Sequence, residues 1–336
     1  MGLINAERVS EDNSYKDFLE KTPESLAQQT AEWKEVLKEV INDEACYLIA
    51  TEDGRAVGAM PSFIYSGKYG KIITSIPFAG PYGGAVGEER AQKVLIEEMI
   101  RIGKEEKCVL ATIITPAFYT DSEVYIEAMT PDFKIENIYQ YIDLQKGSEY
   151  NRSVKRNLAK AKEAGVEVCE GRGSEIGEWH ALHTKRMLSL GKEPLPVEAF
   201  KGIKKHMKEK HAFLIAKAGG KIVGGGWFIF HQKVMDAYML STDPEEMGTS
   251  ATYAIAHEGI ELAKSKGIRY FNWQASAGNK GVEAFKAQWG SSLGKHLILT
   301  KILGDVKPIL EAGLENVKKE YKWHYVIPYS AFPNRT

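Results

Sequence analysis

The chain has 336 residues, 43% of them hydrophobic and 26% charged, with a net charge of −1. That is ample apolar material for two folded domains, and the charge balance excludes a global field that would draw in DNA or an anionic surface. Nowhere do ~18 apolar residues run together, which excludes an ordinary membrane span.

The first residues, MGLINAERVSEDNS, lack the basic head and apolar core of a signal peptide. Ala6 stands where myristoylation needs Ser or Thr. Residues 15–40 carry two short helical patterns, YKDFLEK up to Pro23 and SLAQQTAEWKEVLKEV. In the second, Leu26, Trp33, Val36, Leu37 and Val40 are apolar. The stretch CYLIATEDGRAVGAMPSFIYSGKYGKIITSIPF alternates apolar runs with Asp-Gly and Ser-Gly turns, which predicts an antiparallel meander. A glycine-rich turn, GPYGG, then leads to a helix with Ala91, Leu95, Met99 and Ile102 inward. CVLATIITP reads as a buried strand ended by Pro116, and KIENIYQYIDL as another.

The second half repeats this order: helices over 152–164 and 174–190, a meander over 211–240, a helix over 250–265 and a strand over 268–273. A short helix, GVEAFKAQWG, and a strand, KHLILTKIL, follow. Such a mixed α/β plan, met twice, predicts a duplicated fold. The aromatic tail beyond Val306 is expected to pack back onto the body. Cys46, Cys108 and Cys169 lie far apart with no metal or disulfide spacing, so a reducing, cytoplasmic setting and no metal are expected.

Three local patterns carry chemistry. In SVKRNLAKAKEAG, Arg152, Lys155, Arg156, Lys160 and Lys162 crowd a helix striped by Val154, Leu158 and Ala161. A solvated face is the plain reading, and an anionic substrate or RNA the alternative. In AFKAQWG, Lys286 lies between Phe285 and Trp289. It either snorkels from an apolar surface or is held partly desolvated to meet a phosphate or developing oxyanion. The turn MGTS brings Gly248, Thr249 and Ser250 to a helix start, where free N–H groups suit an anion. Asp236 and Tyr238, on a strand beside the expected cleft, are candidates to orient an amine or relay a proton, with a packed aromatic as the alternative for Tyr238. Within the strand that holds Gly224–Gly226, a bulge is favoured over a ligand approach.

Taken in order, IDL at 142–144, SVKRNLAKAKEAGVEV, the MGTSATYAIAHEGIELAKSKG helix, FNWQAS and AFKAQWG resemble the FemABX peptidyl (aminoacyl) transferases, within the wider GNAT acyltransferase superfamily. Trp33 in QQTAEW and Gly80–Pro81 add to the resemblance. It implies an α/β (α+β) fold of two tandem GNAT-like domains, each a mixed, mostly antiparallel sheet flanked by helices. On this plan the domains run 1–145 and 146–305, with 306–336 as a C-terminal helix and tail. The activity implied is transfer of an aminoacyl or acyl group onto an amine of a peptidoglycan or glycan precursor. The donor is aminoacyl-tRNA or acyl-CoA, with no tightly bound cofactor. The partner is a phosphate-bearing or lipid-linked precursor, together with charged tRNA in one version. DNA is not implied, and peripheral membrane contact is compatible with it. The resemblance makes Lys286 a contact to the phosphate-bearing substrate near the reacting centre and lines the site with Tyr253. It assigns substrate binding to Lys155, Arg156, Arg186 and Trp33, and to a lysine near that tryptophan, Lys34 or Lys38. Two alternatives stand beside it: a coenzyme A-dependent N-acyltransferase on a small amine or amino sugar, and a non-catalytic nucleotide- or RNA-binding protein of the same fold.

Overall fold

A computed structural model of the protein describes residues 2–9, 12–78, 82–118, 122–146, 149–276 and 278–332. The chain divides into two compact units. The first holds Met1–Lys34, Ile41–Asn137 and Lys295–Thr336, and the second Glu35–Val40 and Ile138–Gly294.

In chain order the first part runs β1 (Ile4–Arg8), α1 (Asp12–Glu20), α2 (Ala31–Lys38), β2 (Glu44–Ala45), β3 (Leu48–Glu52) and β4 (Arg55–Met60). It continues with β5 (Phe63–Gly67), β6 (Gly70–Thr74), β7 (Val86–Gly87), α3 (Glu89–Glu105), β8 (Leu110–Ile114) and α4 (Glu123–Met129). Then come β9 (Phe133–Asp143), α5 (Arg152–Glu163), β10 (Glu167–Glu170), α6 (Ile176–Ser189), α7 (Val197–His206), β11 (His211–Ala218) and β12 (Lys221–His231). The remainder is β13 (Val234–Thr242), α8 (Ala251–Ser265), β14 (Tyr270–Ala275), α9 (Lys280–Ala287), β15 (Ser292–Ile302), α10 (Lys307–Ala312) and α11 (Leu314–Glu320).

In the first unit, β3 and β4 join at Asp53–Gly54, both with positive φ (49° and 75°), as a tight hairpin of this twist requires. The single meander expected from the sequence is split between two sheets. β4 pairs with β3 and β7, whereas β5 pairs with β6 and β2. The change of sheet falls at Pro61, which has no N–H to give a ladder. α3 buries Ala91, Leu95, Met99 and Ile102, the face its spacing marks. The tail packs Ile309, Val317, Tyr321 and Ile327 with Ile72 and Leu110, and the Tyr321 hydroxyl donates to the Gly70 carbonyl at 2.8 Å.

The unit boundaries differ from those expected at 145/146 and 305/306. β15 pairs antiparallel with β8, which draws the chain back into the first unit from Lys295. Residues 35–40 join the second unit, where Glu39 accepts from Lys205 at 2.7 Å and meets His206 at 2.9 Å.

The second unit is a sheet in the order β10-β11-β12-β13-β14-β9, antiparallel except where β13 meets β14. α8 buries Ile255, Ala256, Gly259 and Ile260 in the core that holds Phe228. Trp179 of α6 and Phe200 of α7 pack on Trp227 from the other face, with ring centroids 6.0 and 5.5 Å away. The glycine run of β12 permits this. A Cβ on Gly225 would stand 2.5 Å from Trp179 Cδ1, and one on Gly226 2.8 Å from Ile255 Cγ2. A bulge does sit at the start of the run: Ala216 faces Gly224 while Lys217 faces Ile222, which makes Val223 of β12 the extra residue. The close approach at the glycines is made by helix side chains on both faces.

Candidate active site

β13 and β14 run parallel for three residues, Val234–Asp236 against Tyr270–Asn272, and no pair follows Asp236–Asn272. Irregularities in both strands lie at this fork. In β13, Trp227 faces Met239 while Phe228 faces Ala237, so Tyr238 is an extra, bulged residue. In β14 the register shifts between Asn272 and Gln274, and Gln274 takes a φ of 62°, rare for a residue with a side chain. Asn272 Nδ2 donates to Asp236 Oδ1 at 2.5 Å, and Asn272 Oδ1 accepts from the Gln274 N–H at 3.0 Å. Both Asn272 and Asp236 are buried.

Lys286 reaches the same segment from α9. Asn279 starts that helix by accepting from the N–H groups of Gly281 and Val282. Lys286 is only 6% exposed, and its Nζ donates to Gln274 O at 3.0 Å, Ala275 O at 3.1 Å and Ser276 Oγ at 3.0 Å. An ammonium has three protons, so all three are used within the chain. Burial pulls its pKa down to about 8, against a weaker upward pull from Glu283. In this arrangement the ammonium clamps residues 274–276. Gln140 braces the clamp, accepting from Ser276 Oγ at 3.4 Å and donating to the Glu283 carbonyl at 3.2 Å.

Other expected residues divide sharply. Tyr253 donates to Gln288 at 3.1 Å and stacks near Trp289, in an aromatic cluster with Phe285 and Trp273. Burial, reinforced by the charge of Asp236, raises the Tyr238 phenol well above its ordinary pKa. It stays protonated near neutral pH and is suited to donate rather than to act as a base. A 3-10 turn, Pro244–Thr249, leads into α8 through Ser250 at a φ of 58°. Ser250 Oγ donates to Asn157 Oδ1 of α5 at 3.0 Å, and Lys185 of α6 pairs with Asp243 and Glu245 at 2.9 Å each. These contacts gather the elements carrying Gly248, Thr249, Ser250, Lys155, Arg156 and Arg186. Trp33 does not fit its expected role: it is wholly buried in the first unit, a core residue with no face for a ligand. Lys38 is exposed and paired with Glu35 at 2.7 Å. Gly80–Pro81 lie outside the described residues.

Sequence reasoning missed Asn272, Gln274 and Gln140. The available signal was polar side chains inside the otherwise apolar strands FNWQAS and IYQYIDL. The Gln274 side-chain nitrogen is buried with no hydrogen-bond partner among the described residues. Such a donor in a fork is a candidate for ligand contact.

A parallel pair splayed by a bulge, followed by a helix that starts at a turn, is the setting in which comparison with known proteins becomes decisive. Residues 148–287 match the family described as acetyltransferase (GNAT) domain. The chain superposes on the crystal structure of FemX with a TM-score of 0.72 at 11% identity, covering 91% of this chain and 99% of that one. The fold is that of the FemABX-like GNAT proteins. L-PGS from Bacillus licheniformis matches with a TM-score of 0.59 at 9% identity, covering 94% of this chain and 99% of its own. A tandem GNAT protein from the clavulanic acid biosynthesis pathway gives 0.56 at 11% identity, covering 90% and 99%. No curated protein matches the sequence. The matched domain supports an acyltransferase. Among the described residues, no helix is long and apolar enough to cross a membrane.

Proposed function

We propose that this FemABX-like protein moves an aminoacyl or acyl group onto an amine of a cell-envelope precursor, peptidoglycan or glycan. The observation that carries the reading is the fork between β13 and β14, closed by Asp236–Asn272 and held by Lys286, inside the region that matches the GNAT domain. The acceptor amine attacks the ester or thioester carbonyl of the donor directly. An N–C bond forms, the C–O or C–S bond breaks, and the amine proton passes to solvent or to the leaving group. Lys286 positions the 274–276 segment, and its buried charge favours an anion nearby. The protonated Tyr238 is the candidate donor to the oxyanion or leaving group, and Asp236 fixes the fork through Asn272. Lys155, Arg156 and Arg186, on the two helices tied to the Gly248–Ser250 turn through Asn157 and Lys185, are the candidates to bind phosphates of the donor or precursor there.

A coenzyme A thioester is a second reading, favoured by one feature. Gly248 has open space where a Cβ would be, at the turn before α8, so a pyrophosphate can approach the backbone there. No cofactor is tightly held in either version, and donor and acceptor come and go as substrates. The test compares acetyl-CoA with charged tRNA, first by thermal shift and then by consumption of the donor with a pool of precursors. A donor that binds the native state raises Tm. If neither raises Tm nor is consumed, the transfer reading fails.

A further inference from the structure

α5 is more basic than its fold role needs. Between Arg152 and Glu163 it carries five cations, Arg152, Lys155, Arg156, Lys160 and Lys162, and one acid, Glu163. All five cations are exposed, and none has an ion-pair partner among the described residues. Elsewhere the pattern differs: Lys38, Lys93, Arg101, Lys264 and Lys318 each pair with a glutamate three or four positions away. The inner face of α5 is used for packing, with Val154 and Ala161 buried, so its outer face is left to solvent.

Asn157, on the same helix, links it through Ser250 to the 244–249 turn, and Lys185 links that turn to the end of α6. Three large aliphatic side chains are exposed on these two linked elements. Leu188 and Leu190 of the α6 end are 63% and 45% exposed, and Met247 of the turn is 46% exposed. The acids of the turn are partly neutralised, since Asp243 and Glu245 share Lys185. Glu246 and Glu193 also lie on these segments. Exposed aliphatic side chains on elements tied to a helix of unpaired cations match one kind of surface. Lysine and arginine meet anionic headgroups, and leucine and methionine enter the acyl boundary just beneath. Single-stranded nucleic acid would instead call for exposed aromatic rings on which bases stack.

We propose that the outer face of α5, with Leu188, Leu190 and Met247, docks the second unit onto an anionic lipid bilayer. Docking would hold the fork near a lipid-linked acceptor, yet binding needs neither donor nor acceptor. Failure of docking therefore leaves the transfer reaction standing, and failure of transfer leaves docking standing.

The test is co-sedimentation of the full chain with large unilamellar vesicles. One set is phosphatidylcholine alone, and the other phosphatidylcholine with phosphatidylglycerol, each at low and high salt. The protein is expected to partition onto the phosphatidylglycerol vesicles and to be released by salt. Replacing Arg152, Lys160 and Lys162 together by Gln is expected to lower partitioning on the order of a hundredfold, from the usual contribution of each basic side chain near such a surface. Replacing Leu188, Leu190 and Met247 by Ser is expected to lower it in a way that salt does not mimic. All six positions are solvent-facing, and a melting curve for each variant reports folding. Equal partitioning onto both vesicle types, or no partitioning, overturns the proposal. So does an unchanged partition in the Ser variant. Capture of tRNA through the three basic side chains, with vesicles left unbound, makes α5 a nucleic-acid face and overturns it as well.

Discussion

Lys286 sits where a cation is costly, buried and hydrogen-bonded only to neutral acceptors. Its folded pKa of about 8 lies below the ordinary 10.5, so between these values the unfolded chain binds the proton more tightly. Stability should then rise with pH from about 8 to 10.5 by this group, and Lys286→Met should flatten that rise in urea unfolding measured across the window. Displacing the clamped segment by an ångström is enough to lower turnover, and Lys286→Met is expected to reduce kcat on the order of 10²-fold. His183 has the same dependence in a lower window. It is buried, meets Ser241 Oγ at 2.8 Å and stacks on Trp179; burial, with a smaller push from His180, lowers its pKa to about 4. The unfolded chain takes up a proton that the folded one resists, so stability present above pH 6.5 is lost as pH falls toward 4. His183→Gln should remove that share of the acid slope. Lys286 was visible in the sequence because Phe285 and Trp289 flank it. Its partners were not, because two of the three are main-chain carbonyls, which no residue type announces.

Among the elements, helices were the most legible: α3 buries the four residues that its spacing marks, and α5 buries Val154 and Ala161 of its stripe. α7 went unread although Ala199, Phe200 and Ile203 carry the same spacing, because Pro194, Pro196 and Gly202 give that stretch the look of a loop. Strand pairing was less legible. Nothing local tells Tyr238 that it is the bulged residue, because the bulge is a relation between β12 and β13. The glycines of β12 show the same limit, since their reason lies in Trp179 and Ile255 on helices distant in sequence. Gly225→Ala should destabilise by ~1–3 kcal/mol, read as a lower urea midpoint with unchanged m, because its Cβ meets both an indole and the Leu214 carbonyl.

On the scale of the whole molecule, the order of elements was readable and the grouping of segments was not. Linear boundaries cannot express a unit built from three separate stretches of chain, and it is the pairing of β15 with β8 and the packing of the tail that bring residues after 295 back to the first unit. Removing residues 305–336 should uncover Ile72 and Leu110 and strip away Ile309, Val317, Tyr321, Val326 and Ile327. At ~1.5–3 kcal/mol for each large buried side chain, the loss exceeds what a typical domain holds in reserve. The truncated chain should show a markedly lower Tm or fail to fold.

Mass analysis of acceptor products tests the central claim most directly, with wild type and Lys286→Met incubated with acyl-CoA or charged tRNA and a pool of cell-envelope precursors. The prediction is an acceptor heavier by one acyl or aminoacyl group in an amide, formed about 10²-fold more slowly by the variant while its melting curve stays cooperative. An acceptor pool left unmodified by the wild type with every donor, or a variant that works at the wild-type rate, would contradict it.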